Sequence, residues 1–124
     1  MNKQKIKIWG RSFDLPVMIK EYDNNGATDV QKDACSKMGD GSILWDSSKD
    51  GVEKYIIKNG LKENGIKEVD NIFKYVMPKS IYIPQTSKRT VGILCDYKFD
   101  KEHGLAIVFE NEKYKKVGLE DIII

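Results

Sequence analysis

The chain is poor in the residue types that usually betray a chemistry: two cysteines, three prolines, two arginines and one histidine in 124 residues. Two cysteines cannot build the disulfide framework of a small secreted domain. Cys35 and Cys95 sit in apolar patterns without a Cys-x-x-Cys motif, so they read as reduced core thiols of a cytoplasmic protein. A lone imidazole excludes any metal site that needs two, including the His-Glu-x-x-His protease and the two-His facial triad. With only Arg11 and Arg89, bidentate grips on phosphate or carboxylate are scarce. No apolar run approaches the ~20 residues of a membrane-crossing helix. The N-terminus is interrupted by Lys3, Lys5 and Lys7, so no secretory leader is expected. Phosphate-binding Gly-Lys-Ser/Thr loops, dinucleotide glycine fingerprints and Gly-x-Ser-x-Gly elbows are all missing.

What is present is a well-solvated chain of ordinary domain size, 40% hydrophobic and 32% charged, expected to form a single domain over residues 1–124. Its 21 basic and 19 acidic side chains leave a net charge of only +2. That field is too weak to gather nucleic acid or anionic lipid, so neither is an expected partner, and no cofactor is implied. Lys3, Lys5, Lys7 and Arg11 around Trp9 resemble a nucleic-acid strip with an aromatic stacker, but fit a solvated strand face better.

Period-two alternation over Ile6 to Ile8 and Phe13 to Ile19 predicts an N-terminal β-hairpin. A Gly10-Arg11 turn would set Ile8 against Phe13, Ile6 against Leu15 and Lys7 against Asp14. After the turn-rich Asp23 to Gly26, Thr28-x-x-Gln31 has the spacing of a capping box. It should open a helix with Val30, Ala34 and Met38 on one face, stopped by Gly39 to Gly41. A second helix is expected over Lys49 to Lys58, closed by Asn59-Gly60, and a third over Val69 to Val76, ended by Pro78. Strand-like segments follow at Ile81 to Ile83, Val91 to Tyr97, Leu105 to Phe109, Tyr114 to Val117 and Ile122 to Ile124. The expected fold class is therefore α+β: a β-hairpin, about three helices, then an antiparallel meander, in one mixed-order sheet with helices packed on one side.

One polar constellation stands out, Asp96-Tyr-Lys-Phe-Asp100-Lys-Glu102-His103-Gly104, set between the two most apolar strands. Its carboxylates and imidazole suit an oxygen-rich metal site or a general acid beside a general base. The same residues also suit a tight turn, with Asp100 closing it and Gly104 taking a positive φ. Asp96, near the end of an apolar strand, must be exposed or paired. Elsewhere, Asp46-x-Ser48-x-Asp50-Gly51 imitates the first half of a calcium loop, but Lys54 and Ile57 occupy positions where ligands belong. A helix start capped by Ser47 or Ser48 is expected instead. A Cys95–His103 nucleophile pair lacks an elbow or oxyanion signature around the cysteine.

From Pro78 onward, and above all over Gly92 to Phe109 with the ending Val117-Gly118-Leu-Glu-Asp121, the sequence resembles a bacterial family of small uncharacterised domains. These carry an Asp, aromatic, Asp, x, Glu-His-Gly hairpin followed by Val-Gly-x-x-Asp. Phe99 stands where the family more commonly has tryptophan. The family is similar to others associated with toxin-immunity systems, which implies an immunity or interaction role, and the expected function is that of a non-enzymatic immunity-type protein that neutralises a cognate toxin. The resemblance sets Asp96, Asp100, Glu102, His103, Gly104 and Asp121 apart as a unit, for binding or for folding, and Asp96, Asp100, Glu102, His103 and Asp121 are the expected binding residues. The alternative is a metal-binding module or metal-dependent hydrolase using Asp96, Asp100, Glu102 and His103.

Overall fold

A computed structural model describes residues 3–21, 26–38, 45–61, 65 and 68–123. The expected α+β layout is there, with one six-stranded mixed sheet whose strand order follows the chain. The strands are β1 (Lys3–Ile8), β2 (Arg11–Ile19), β3 (Val76–Ile83), β4 (Thr90–Tyr97), β5 (Leu105–Glu110) and β6 (Lys113–Gly118). Neighbours run antiparallel except β2 and β3, which pair in parallel over Val17 to Ile19. Among the described residues there are two α-helices rather than three, α1 (Asp29–Met38) and α2 (Lys49–Ile56), both in the crossover between β2 and β3. No helix is long and apolar enough to cross a membrane among the described residues.

The hairpin forms, but its turn is Trp9-Gly10 rather than Gly10-Arg11. Ile8 therefore faces Arg11, Ile6 faces Phe13 and Lys5 faces Asp14. Both turn residues have positive φ, 52° and 83°, as a two-residue primed turn requires. The left-handed Trp9 is held by distant groups: its backbone N–H donates to Asp46 Oδ1 and its indole N–H to Ser48 Oγ, 3.2 Å away. Its ring is buried against Phe73, which leaves no aromatic stacker on the lysine strip. The shift moves every pair by two in register, so each side chain keeps its face.

At α1 the capping box is complete. Gln31 N–H donates to Thr28 Oγ1 at 3.2 Å, and Thr28 N–H donates to Gln31 Oε1 at 2.9 Å. Gln31 is buried, and its amide also donates to Lys20 O at 2.6 Å and Ile83 O at 3.3 Å, tying the helix to the ends of β2 and β3. The expected turn at Asp23 to Asn25, the Met38 side chain, the Gly39 to Gly41 stop and Ile124 lie outside the described residues.

Four other expectations need correction. Helix α2 is not stopped by Asn59-Gly60, for the chain continues as a wide π-turn over Ile57–Leu61. A Cβ at Gly60 would overlap the Phe99 ring, so this glycine serves close packing rather than termination. Nor does Ser48 cap the helix with its side chain: its hydroxyl donates to Trp45 O at 2.6 Å. The third helix shrinks to a 3-10 turn, Ile72–Lys74, capped by Asn71 Oδ1 accepting from Phe73 N–H at 3.1 Å. Val69, Ile72, Phe73 and Val76 do turn inward, but Val76 already pairs with Tyr97, and Pro78 lies inside β3 beside a bulge. A proline without a ladder donor is tolerated at such a bulge. The terminal strand is likewise a 3-10 turn, Glu120–Ile122.

Alternation in β4 and β5 separates two apolar layers. Val91, Ile93, Cys95, Tyr97, Leu105, Ile107 and Phe109 join Ala34, Val52, Ile56 and Leu61 from the helical segments in the main core. Leu94 and Ala106 face the other way with Tyr82, where Ile122 and Ile123 cover them. The helices thus lie on one side, and the C-terminal turn closes the other.

Candidate functional site

The sheet delivers β4 and β5 to a common corner, and the connecting residues 98–104 hold most of the sequence-selected site. Asp100 is the hinge of this loop. Its Oδ1 accepts from His103 N–H at 3.0 Å, its carbonyl accepts from Gly104 N–H at 2.9 Å, and its own N–H donates to Tyr97 O at 3.2 Å. Gly104 takes the positive φ, 63°, that the turn reading expected. The His103 ring reaches back with Nδ1 3.0 Å from Asp100 Oδ1 and 3.1 Å from Oδ2. The backbone N–H of His103 comes first in holding the Asp100 carboxyl below its ordinary range. The hydrogen bond to Asp100, then its charge, raises the His103 imidazole, with Glu102 and Asp121 adding to the effect.

Asp100, Glu102, His103 and Asp121 therefore share one electrostatic neighbourhood, while Asp96 sits apart from it. Asp96 is exposed on the other face of β4 from Tyr97, with Lys79 Nζ 3.3 Å away. Lys79 also lies 3.8 Å from Glu120, so it links Asp96 to the C-terminal turn whose Glu120 N–H donates to His103 O at 3.4 Å. Lys79 and Glu120 were not selectable by sequence, because only β3–β4 pairing brings them to this place.

An aromatic cluster underlies the loop. The Phe99 ring stacks on Tyr75 at 5.7 Å and meets Tyr97 edge-on at 5.7 Å, and Tyr97 in turn lies 6.0 Å from Tyr55. Phe99 nevertheless keeps 38% of its surface exposed, one of two large hydrophobics so exposed among the described residues, Met18 being the other. A phenylalanine between charged neighbours in a polar loop was the available sequence signal for it. The buried Tyr97 hydroxyl is pushed up to about 12, first by desolvation and then by the charges of Tyr55 and Asp100.

His103 has one ring nitrogen engaged by Asp100, and no group of three or more His, Cys, Asp or Glu side chains is placed to hold a metal ion among the described residues. Cys95 is buried on the helix side, with its thiol bonded to Ile93 O and its pKa raised by burial, while His103 is exposed. The structure therefore does not make them a nucleophile pair. Asp46 and Ser48, from the calcium-like segment, serve Trp9 instead.

Searches of curated proteins and of solved structures find no significant match. A family model does match, over residues 1–124, which is the whole length that carries the hairpin, the crossover helices and the corner. The chain belongs to the family described as a domain of unknown function, DUF6985.

Proposed function

We propose that this is a non-enzymatic binding protein of the immunity type, which neutralises a cognate protein toxin through the β4–β5 corner. The carrying observation is Phe99, left 38% exposed while its ring is fixed against Tyr75 and Tyr97. An aromatic side chain held in place before binding loses little freedom on contact, which is how interface anchors gain their energy. Exposed Glu102 and Asp121 flank the same loop and fit a basic partner surface, speeding encounter and fixing orientation. The segment from Pro78 onward resembles a family of uncharacterised domains that is similar to immunity-associated ones, and that association supports the partner class. The metal alternative draws no comparable support, since among the described residues no three of these side chains are placed to hold an ion.

Titration of purified candidate toxins, encoded beside the gene, tests the reading. Phe99→Ala and a Glu102→Lys, Asp121→Lys double variant, each checked for unchanged folding, should each weaken binding at least tenfold. Undiminished affinity in both would remove the corner from the interface. Asp100 is a poor choice for this test because its substitution opens the turn itself.

A further inference from the structure

Beside the same loop lies an open groove of about 420 Å³, floored by Phe73, Tyr75 and Met77, with Lys98, Lys101 and Asp96 among its lining. We infer that this groove is a second binding site, which takes an acidic segment of a partner protein and receives one of its apolar side chains. The size is within the range of about 300–1,000 Å³ typical of ligand clefts, and the floor is half-buried and apolar.

Charge selects the occupant. The Asp96 carboxylate is already met by Lys79 at 3.3 Å, and the third lining ammonium, Lys74, by Asp70 at 2.7 Å. Lys98 Nζ lies 5.5 Å over the Tyr75 ring, and Lys101 makes no ion pair among the described residues. These two ammonium groups remain available for carboxylates on either side of an inserted side chain, whereas a basic segment would meet like charge. The loop that carries them is fixed to the floor, because Lys98 N–H donates to Tyr75 O at 2.8 Å. The groove is thus a lysine-rimmed neighbour of an acid-flanked tip, and its occupancy does not depend on what the tip binds.

The test uses the full-length, ¹⁵N-labelled protein and three probes. These are a peptide with a central phenylalanine between paired aspartates, the same peptide with lysines in place of aspartates, and a single-stranded oligothymidine. The acidic peptide should shift the amides of Tyr75, Met77, Tyr97, Lys98 and Lys101. A Lys98→Glu, Lys101→Glu variant should weaken it at least tenfold, while the Glu102→Lys, Asp121→Lys variant should bind it as the parent does. Equal binding of the lysine peptide, preference for the oligothymidine, or no shifts at millimolar acidic peptide would each overturn the inference. Loss of toxin binding without loss of peptide binding would fall on the tip alone.

Discussion

Gln31 makes four described hydrogen bonds from one buried side chain and its own backbone N–H, joining the start of α1 to the ends of β2 and β3. Gln31→Ala strands the Lys20 carbonyl and the Thr28 N–H together, so urea unfolding should show a loss of about 2–3 kcal/mol. Thr28→Ala, which removes one cap bond, should cost about 1 kcal/mol. At the other end of the molecule the Asp100–His103 pair makes the corner sensitive to pH. A carboxyl held below its ordinary 3.8 adds stability above that value and loses it as pH falls through the lower folded pKa. An imidazole held above its ordinary 6.5 adds stability below that value and loses it as pH rises through the higher folded pKa. The two contributions overlap between these ordinary values. The melting temperature of His103→Ala should therefore fall furthest below the parent near about pH 5 and converge with it in alkali. A difference constant across pH would leave the ring without a role in the turn.

Among the elements, the N-terminal hairpin and α1 were readable because their signals are local: alternation, a glycine turn and a Thr-x-x-Gln spacing. The hairpin's register was not, because the left-handed conformation of Trp9 is stabilised by Asp46 and Ser48, 37 and 39 residues away. The same limit explains β3. Val69, Ile72, Phe73 and Val76 have helical spacing and are drawn inward, yet pairing with β4 claims Val76 for the sheet. A periodic pattern reports which residues are buried, and only tertiary contacts decide by which backbone they arrive there. At the candidate site, the turn chemistry of Asp100 and Gly104 was legible, whereas the link from Asp96 through Lys79 to Glu120 was not. Ser48 joins the elements most directly, accepting from the Trp9 indole and donating to Trp45 O. Ser48→Ala should cost about 1–3 kcal/mol by leaving the indole N–H unpaired, and should speed amide exchange in the Trp9-Gly10 turn ahead of the central strands.

For the whole molecule, the described parts of the sheet differ in how far they are covered. Helical segments pack on one face, and on the other Ile122 and Ile123 cover Tyr82, Leu94 and Ala106. Its edges, β1 and β6, carry Lys3, Lys5 and Lys7 and Lys113, Lys115 and Lys116, charges that discourage strand addition. The two arginines are spent on internal contacts, Arg89 gripping Glu112 at 2.8 and 2.9 Å and Arg11 lying over Phe13 and Phe73. The β4–β5 corner is where exposed aromatic surface and unspent charge coincide. Hydrogen–deuterium exchange of the protein with its cognate partner tests this most directly. Protection confined to residues 98–104 and 120–122 is the expected result, and protection centred on the N-terminal hairpin or α1, with the corner exchanging as in the free protein, would contradict it.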